Sequence, residues 1–102
     1  MWEEEEIERI LFYRNPKENS DKIYLVQIVQ GEHEDQWIVK AHWGKRTNGP
    51  GANQEKAVCG RLAAEKEFNK LLEAKIKKGY SIGSIELVPR VWQRYCLTKL
   101  PR

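Results

Sequence analysis

The sequence has few of the residues that cross-link secreted proteins or anchor membrane proteins. It contains only two cysteines, Cys59 and Cys96, and two cysteines in a chain of this length make no disulfide framework. No apolar run approaches the ~20 residues that cross a bilayer, and the start, MWEEEEIE, has neither the basic nor the apolar region of a secretory signal. These absences predict a cytoplasmic protein with reduced thiols and no membrane span.

The residue sets of common catalytic and metal sites are also missing. The two histidines and two cysteines lack the close spacing of structural zinc ligands. The loop GPGANQ lacks the third glycine of a dinucleotide fingerprint, and GKR lacks the first glycine and the hydroxyl residue of a phosphate-binding loop. The acidic run at 3–6 is typical of a solvated terminus, because an acid–base pair needs burial to separate its pKa values. We therefore expect no enzyme activity, no metal ion and no cofactor.

Charge is plentiful and is segregated along the chain. Residues 1–36 hold four basic and ten acidic residues, residues 37–80 hold ten and four, and residues 81–102 hold four and one. The three segments therefore carry −6, +6 and +3, although the whole chain carries only +3. A basic surface concentrates polyanions, which favours a nucleic-acid partner. The alternative is that the acidic start only neutralises the rest of one surface.

The 102 residues correspond to a single domain, residues 1–102, which is long enough to build one core. Residues 62–78 have the apolar stripe of an amphipathic helix, running from Ala64 to Ile76 and followed by Gly79. We predict an α+β fold: an antiparallel sheet of four to five strands, one helix packed on it, and a short C-terminal helix in PRVWQRYCL. The predicted strands are residues 7–15, 22–30, 37–43 and 54–60, with a short edge strand at 84–88.

The segment HWGKRTNGPG joins an aromatic residue, a glycine and two cations at the end of the third predicted strand. With KIYLVQIV before it and the helix ending in KKGY after it, this ordered set resembles the WGR domain. That family is named for a Trp-Gly-Arg motif and is found in several poly(ADP-ribose) polymerases and in bacterial proteins. The likeness covers about residues 22–80 and leaves 81–102 as a C-terminal extension. Lys45 stands where the family has arginine, with Arg46 displaced by one position.

The resemblance implies a module without chemistry of its own that helps to recognise the end or break of a DNA strand. It places Trp43 against the terminal nucleotide and Lys45 at the position of the motif arginine. Because lysine cannot reproduce the bidentate fork of arginine, the bridging part of the arginine's role is not carried over. The ADP-ribosyl transfer of the polymerases is not carried over either, because 102 residues do not accommodate their catalytic domain.

The resemblance, together with the basic middle segment, thus implies a DNA-binding site in which Trp43 stacks on a base and cations near the hairpin contact phosphates. We expect sequence-independent binding with a preference for ends or nicks. The alternative for Trp43 is a role in the core alone, and the alternative for the cations is solvation in a loop. The alternative function is a protein-interaction or adaptor module, because the resemblance also implies a fold that makes interdomain contacts; binding of RNA or a free nucleotide is a third possibility. The predicted contacts are Trp43, Lys45, Arg46, Lys40 and Lys56.

Overall fold

The chain folds around one five-stranded sheet in a computed structural model that describes residues 6–98; positions 3–5 of the acidic run lie outside the described residues. All neighbouring strands are antiparallel. The strands are β1 (Ile7–Asn15), β2 (Ser20–Gln30), β3 (Gln36–Lys45), β4 (Ala52–Cys59) and β5 (Ser81–Gly83). Their order across the sheet is β4-β3-β2-β1-β5. The predicted α+β class and antiparallel sheet are confirmed.

The middle strand β2 has core on both faces. Its residues are buried without interruption from Ile23 to Val29, as its β-branched and aromatic composition on both faces predicts. Tyr24, Val26 and Ile28 face one side of the sheet, and Ile23 and Leu25 face the other. Two separate layers of chain cover these two faces.

Helix α1 (Arg61–Lys77) covers the first face of the sheet. Its inward residues Ala64, Phe68 and Leu72 are buried against β2 and β3, and burial of a side chain such as Phe68 or Leu72 stabilises the fold by roughly 1.5–3 kcal/mol. The predicted amphipathic helix is therefore confirmed, one residue earlier at each end than expected. None of the helices within residues 6–98 is long and apolar enough to cross a membrane.

The C-terminal segment, which we define as residues 84–98, covers the second face. It contains a 3-10 turn (Ile85–Leu87) and the short helix α2 (Arg90–Gln93), which confirms the predicted C-terminal helix. The buried cluster on this face consists of Ile10, Ile23, Leu25, Val88, Trp92 and Cys96.

Hydrogen bonds to Glu8 fasten the end of this segment. The carboxylate of Glu8 accepts hydrogen bonds from the backbone amides of Leu97 and Thr98, each at 2.8 Å. It also accepts one from the buried Gln27 Nε2 at 2.9 Å, and that amide group donates a second bond to the Tyr95 carbonyl at 2.7 Å. The segment is therefore an integral layer of the fold.

The predicted edge strand at 84–88 is wrong. The edge strand is β5, three residues earlier, where Gly83 lies flat against Phe12: a Cβ at Gly83 would come within 2.5 Å of the Phe12 ring. In the 3-10 turn, Val88 donates its backbone N–H to the Ile85 carbonyl at 3.0 Å. This spacing of three turns Ile85 and Val88 towards the second cluster and leaves Leu87 62% exposed. A strand would have placed Ile85 and Leu87 on one face.

Candidate nucleic-acid interface

Two cross-strand rows at one end of the sheet position the motif residues. Trp43 lies opposite Tyr24 of β2, and two residues further along Lys45 lies opposite Lys22. Lys22 also lies opposite Tyr13 of β1. Because residues two apart share a face of the sheet, all five side chains belong to the face that carries α1. The register of β2 thus brings together aromatic and basic residues from three strands.

The end of α1 and the turn after it supply a second wall. Lys75, in the last turn, faces the sheet, whereas Ile76 is 47% exposed, so the predicted apolar stripe ends one turn early. Gly79 adopts φ +108°, a conformation that favours glycine, and allows the chain to reverse directly above the Tyr13 ring. Tyr80 then packs on Tyr13, with the ring centroids 5.1 Å apart.

These walls enclose what we call the aromatic–lysine cleft. Its volume is about 540 Å³, which is in the range of pockets that hold small ligands or parts of larger ones. Its described lining contains three aromatic residues, four lysines and one acid. The lining residues are Tyr13, Glu18, Lys22, Trp43, Gly44, Lys45, Lys75, Lys78 and Tyr80.

Trp43 is neither confined to the core nor fully exposed. It is half-buried, packs against the core under α1, and stacks on Tyr24 with ring centroids 5.9 Å apart and planes inclined by 29°. Its remaining surface lines the cleft. A ring held from behind by packing loses little conformational freedom when a base stacks on its open side. The position of Trp43 therefore suits an aromatic ligand.

The cleft is strongly positive. Lys22 and Lys45 lie directly opposite each other, an arrangement of like charges that destabilises a sheet and that a bound anion would relieve. The ammonium of Lys75 lies 4.7 Å from the Tyr24 ring centroid and 5.6 Å from that of Tyr80, within cation–π range. Burial lowers the pKa of Lys75, and the charges of Lys78 and Lys22 lower it further.

Tyr80, which lines the cleft, and Tyr24, which stacks on Trp43, stay neutral to a higher pH than an ordinary tyrosine because the pKa of each is raised. Burial raises the pKa of Tyr24, with a smaller contribution from Tyr80. Burial likewise raises the pKa of Tyr80, with a smaller contribution from Tyr13. The cleft therefore offers uncharged aromatic rings beside cationic amines.

Of the predicted contact residues, the structure brings only Trp43 and Lys45 into this cleft. Arg46 lies at the rim of the sheet, where its Nε donates to Asp21 Oδ2 at 2.8 Å. Lys40 points to the second face and lies 3.8 Å from Glu55. Lys56 lies on the α1 side, opposite Val39 and about 13 Å along the sheet from Trp43, with its Nζ 3.1 Å from Glu67.

Sequence reasoning missed most of the cleft. The helix pattern did not indicate Lys75, because the spacing of apolar residues in the sequence predicts that its neighbour Ile76 faces the sheet. Lys78 and Tyr80 belong to the quoted KKGY segment, which could have indicated them. Tyr13 and Lys22 flank the loop between β1 and β2, but only the hairpin register shows that they meet Lys45. Within residues 6–98 no group of three or more histidine, cysteine or acidic side chains is arranged to hold a metal ion.

An antiparallel sheet that carries one helix, with a tryptophan and basic residues at the end of the hairpin of β3 and β4, defines a small α+β domain. The family model of the WGR domain matches residues 7–85. The chain belongs to the WGR domain family, which is known for nucleic-acid binding and is in general a non-catalytic module. The match includes β1, which the sequence motifs did not cover. No curated protein and no solved structure matches the chain.

Proposed function

We propose that this domain is a non-catalytic module that binds DNA independently of sequence and prefers ends or nicks. The observation that carries the proposal is the aromatic–lysine cleft, in which the half-buried Trp43 stands beside the opposed pair Lys22 and Lys45. Stacking of a base on an aromatic side chain contributes about 1–3 kcal/mol and tolerates any base. Lysines at the rim contact phosphates without reading sequence.

The shape of the cleft supports a preference for strand breaks. Trp43 is backed by Tyr24 and can stack on a ligand only through its open side. Inside a continuous duplex both faces of a base pair are covered by neighbouring base pairs, whereas a terminal pair has a free face. At a nick the two flanking pairs are stacked but lack one backbone link, so bending there frees a face at a lower cost than in an intact duplex. A break therefore makes available the surface that Trp43 can contact.

Lys45 acts in this proposal as a point charge, because it lacks the planar fork of the motif arginine. Arg46, Lys40 and Lys56 lie outside the cleft. They remain proposed contacts, to the phosphates of DNA that extends beyond the cleft. Single substitutions at these positions distinguish the contribution of the cations outside the cleft from that of the cleft lysines.

The test is a fluorescence-polarisation titration with intact, nicked and 5′-overhang DNA of equal length, with hairpins closing the labelled ends of the first two. We expect tighter binding to the broken DNAs, and loss of that preference in Trp43→Ala after its folding is confirmed by circular dichroism. Tyr95→Ala is the matched control, because Tyr95 is an exposed aromatic residue of the C-terminal segment on the opposite face. Equal, weak binding to all three DNAs that Trp43→Ala leaves unchanged would contradict the proposal.

A protein-interaction module is the second candidate, and one observation favours it. Ile82 in the short edge strand β5 and Leu87 just after that strand are 53% and 62% exposed, and exposed apolar residues at the edge of a sheet suit a protein partner. Chemical-shift mapping would decide between the two. Shifts at β5 and β1 with a protein partner, and none in the cleft with DNA, would favour this candidate.

A further inference from the structure

The indole of Trp92 links the C-terminal segment to the motif strand from behind. Trp92 is fully buried in the cluster on the second face. Its Nε1–H donates to two backbone carbonyl oxygens, those of Lys45 at 3.2 Å and Arg46 at 3.1 Å. These are consecutive residues of the motif, at the point where β3 leaves the sheet. The side chain thus contacts the backbone that carries Lys45 into the cleft.

Other contacts fasten the same loop, residues 45–51, to its surroundings. The backbone amide of Arg46 donates to the Asp21 carbonyl at 2.9 Å, and that of Gly51 donates to the Trp43 carbonyl at 2.9 Å. Gly49 is buried with φ +83°, and a Cβ there would lie 3.5 Å from the carbonyl oxygen of Val91, the residue before Trp92. The loop is therefore packed directly on α2.

A buried indole N–H needs an acceptor, and it can only donate. Here both of its acceptors are backbone atoms of the motif, so the hydrogen bond fixes the orientation of the two peptide groups that follow Lys45 and Arg46. Trp92 itself lies beyond residue 85, where the match to the family model ends. The family match therefore gives this tryptophan no role.

We propose that Trp92 is a positioning residue for nucleic-acid binding, which holds the backbone of Lys45 and Arg46 so that Trp43 and Lys45 face one ligand. The inference rests on the proposed function. Loss of one hydrogen bond of this kind is expected to weaken DNA binding roughly 3- to 10-fold. Because Trp92 touches no cleft surface, that loss must act through the loop.

The test compares Trp92→Phe with Val88→Ala in the full chain. Trp92→Phe keeps an aromatic ring but removes the donor. Val88→Ala removes buried volume from the same cluster without an atom that bonds to the loop, so it controls for a general loss of stability. Two quantities are measured: the amide chemical shifts of residues 45–51 without DNA, and the affinity for nicked DNA by fluorescence polarisation.

A shape-matched variant removes the dependence on how well Trp92→Phe folds. Residues 1–58 are joined by native chemical ligation at the exposed Cys59 to a synthetic 59–102 peptide in which benzothienylalanine replaces Trp92. Sulfur then occupies the position of the indole N–H, so that the ring shape is kept and the hydrogen bond is lost. Thermal unfolding confirms that the ligated protein folds like the ligated wild type.

We expect the loop amides to shift and the affinity to fall in the benzothienyl protein and in Trp92→Phe, while Val88→Ala binds as the wild type does. Unchanged loop shifts, or unchanged affinity despite shifted loop amides, would overturn the inference. A wild-type protein that fails to bind any of the DNAs would instead refute the proposed function, and with it the role of Trp92 in binding. Failure of the proposed function can be told apart from failure of this inference, because it is seen with the wild-type protein alone.

Discussion

Salt dependence of DNA binding tests whether the cleft lysines contact phosphates. Each phosphate contact releases condensed counterions, so the logarithm of the association constant falls linearly with the logarithm of salt concentration, with a slope of about −0.9 per contact on duplex DNA. The cleft is lined by Lys22, Lys45, Lys75 and Lys78. If all four contact phosphates, the slope is about −3.6, which corresponds to a roughly 150-fold loss of affinity between 50 and 200 mM salt.

Single lysine-to-glutamine variants make this prediction specific to residues. Each substitution in the cleft should bring the slope about 0.9 closer to zero, so that the loss over the same salt range falls to roughly 40-fold. Arg90→Gln is the control, because Arg90 is exposed on α2 at the opposite face and should leave the slope unchanged. Lys40→Gln and Lys56→Gln, measured in parallel, show whether cations outside the cleft also contact DNA.

The assay is a polarisation titration on nicked DNA at five salt concentrations. Circular dichroism checks that each variant is folded before its slope is used. A wild-type slope near −1, or a slope that none of the four cleft substitutions changes, would refute the assignment of phosphate contacts to the cleft. Equal effects of the cleft variants and Arg90→Gln would indicate a diffuse basic surface instead.

Three further predictions follow from single contacts. Glu18→Gln removes the acid that lines the cleft and should tighten DNA binding up to about fivefold in the same titration; weaker binding would contradict this. Gly44→Ala would place a methyl group 2.6 Å from two backbone atoms of the loop, whereas a methyl group at Gly51 meets nothing within 4 Å. Thermal unfolding should therefore show that Gly44→Ala lowers the free energy of unfolding by about 1–3 kcal/mol and that Gly51→Ala leaves it unchanged. Burial, and to a smaller extent the charge of Lys40, lowers the pKa of His42 below its ordinary 6.5. The neutral imidazole therefore contributes fully to the free energy of unfolding above pH 6.5, and this contribution is lost as the pH falls through the folded-state pKa. A titration midpoint of His42 above 6.5, measured by NMR, would contradict this.

The sheet and helix could be predicted because their local patterns agree with their burial. β2 reads as apolar on both faces and is the middle strand. In β3, the buried Trp37, Val39 and Ala41 alternate with half-buried residues and face α1. The same reasoning gave a wrong prediction for residues 84–88, because Ile85 and Leu87 are two positions apart, as apolar residues on one face of a strand would be. The contact that decides their structure is tertiary: Val88 packs under the sheet and imposes a spacing of three.

The cleft could be predicted only in part, because the pairing register of the strands decides which of its residues lie next to each other. The motif drew attention to Trp43 and Lys45, which are adjacent in sequence apart from one glycine. Lys22 joins them only because β2 pairs with β3 in one register, and a shift of one residue would move it to the other face. Trp92 is further removed, since 46 residues separate it from the Arg46 carbonyl that it contacts.

The acidic and basic segments of the sequence do not form separate acidic and basic surfaces in the fold. Acidic residues of the first third bind groups from later in the chain: Asp21 accepts from Arg46, and Glu8 holds the backbone of the C-terminal segment. Glu18 remains as the one acid in the described lining of the cleft, against four lysines. The cleft alone therefore has a formal charge of +3, as large as that of the whole chain. On the proposed function, a polyanion is attracted most strongly where these four lysines meet. A change of net charge at a position outside the proposed contacts should therefore alter binding far less than a change at one of the four.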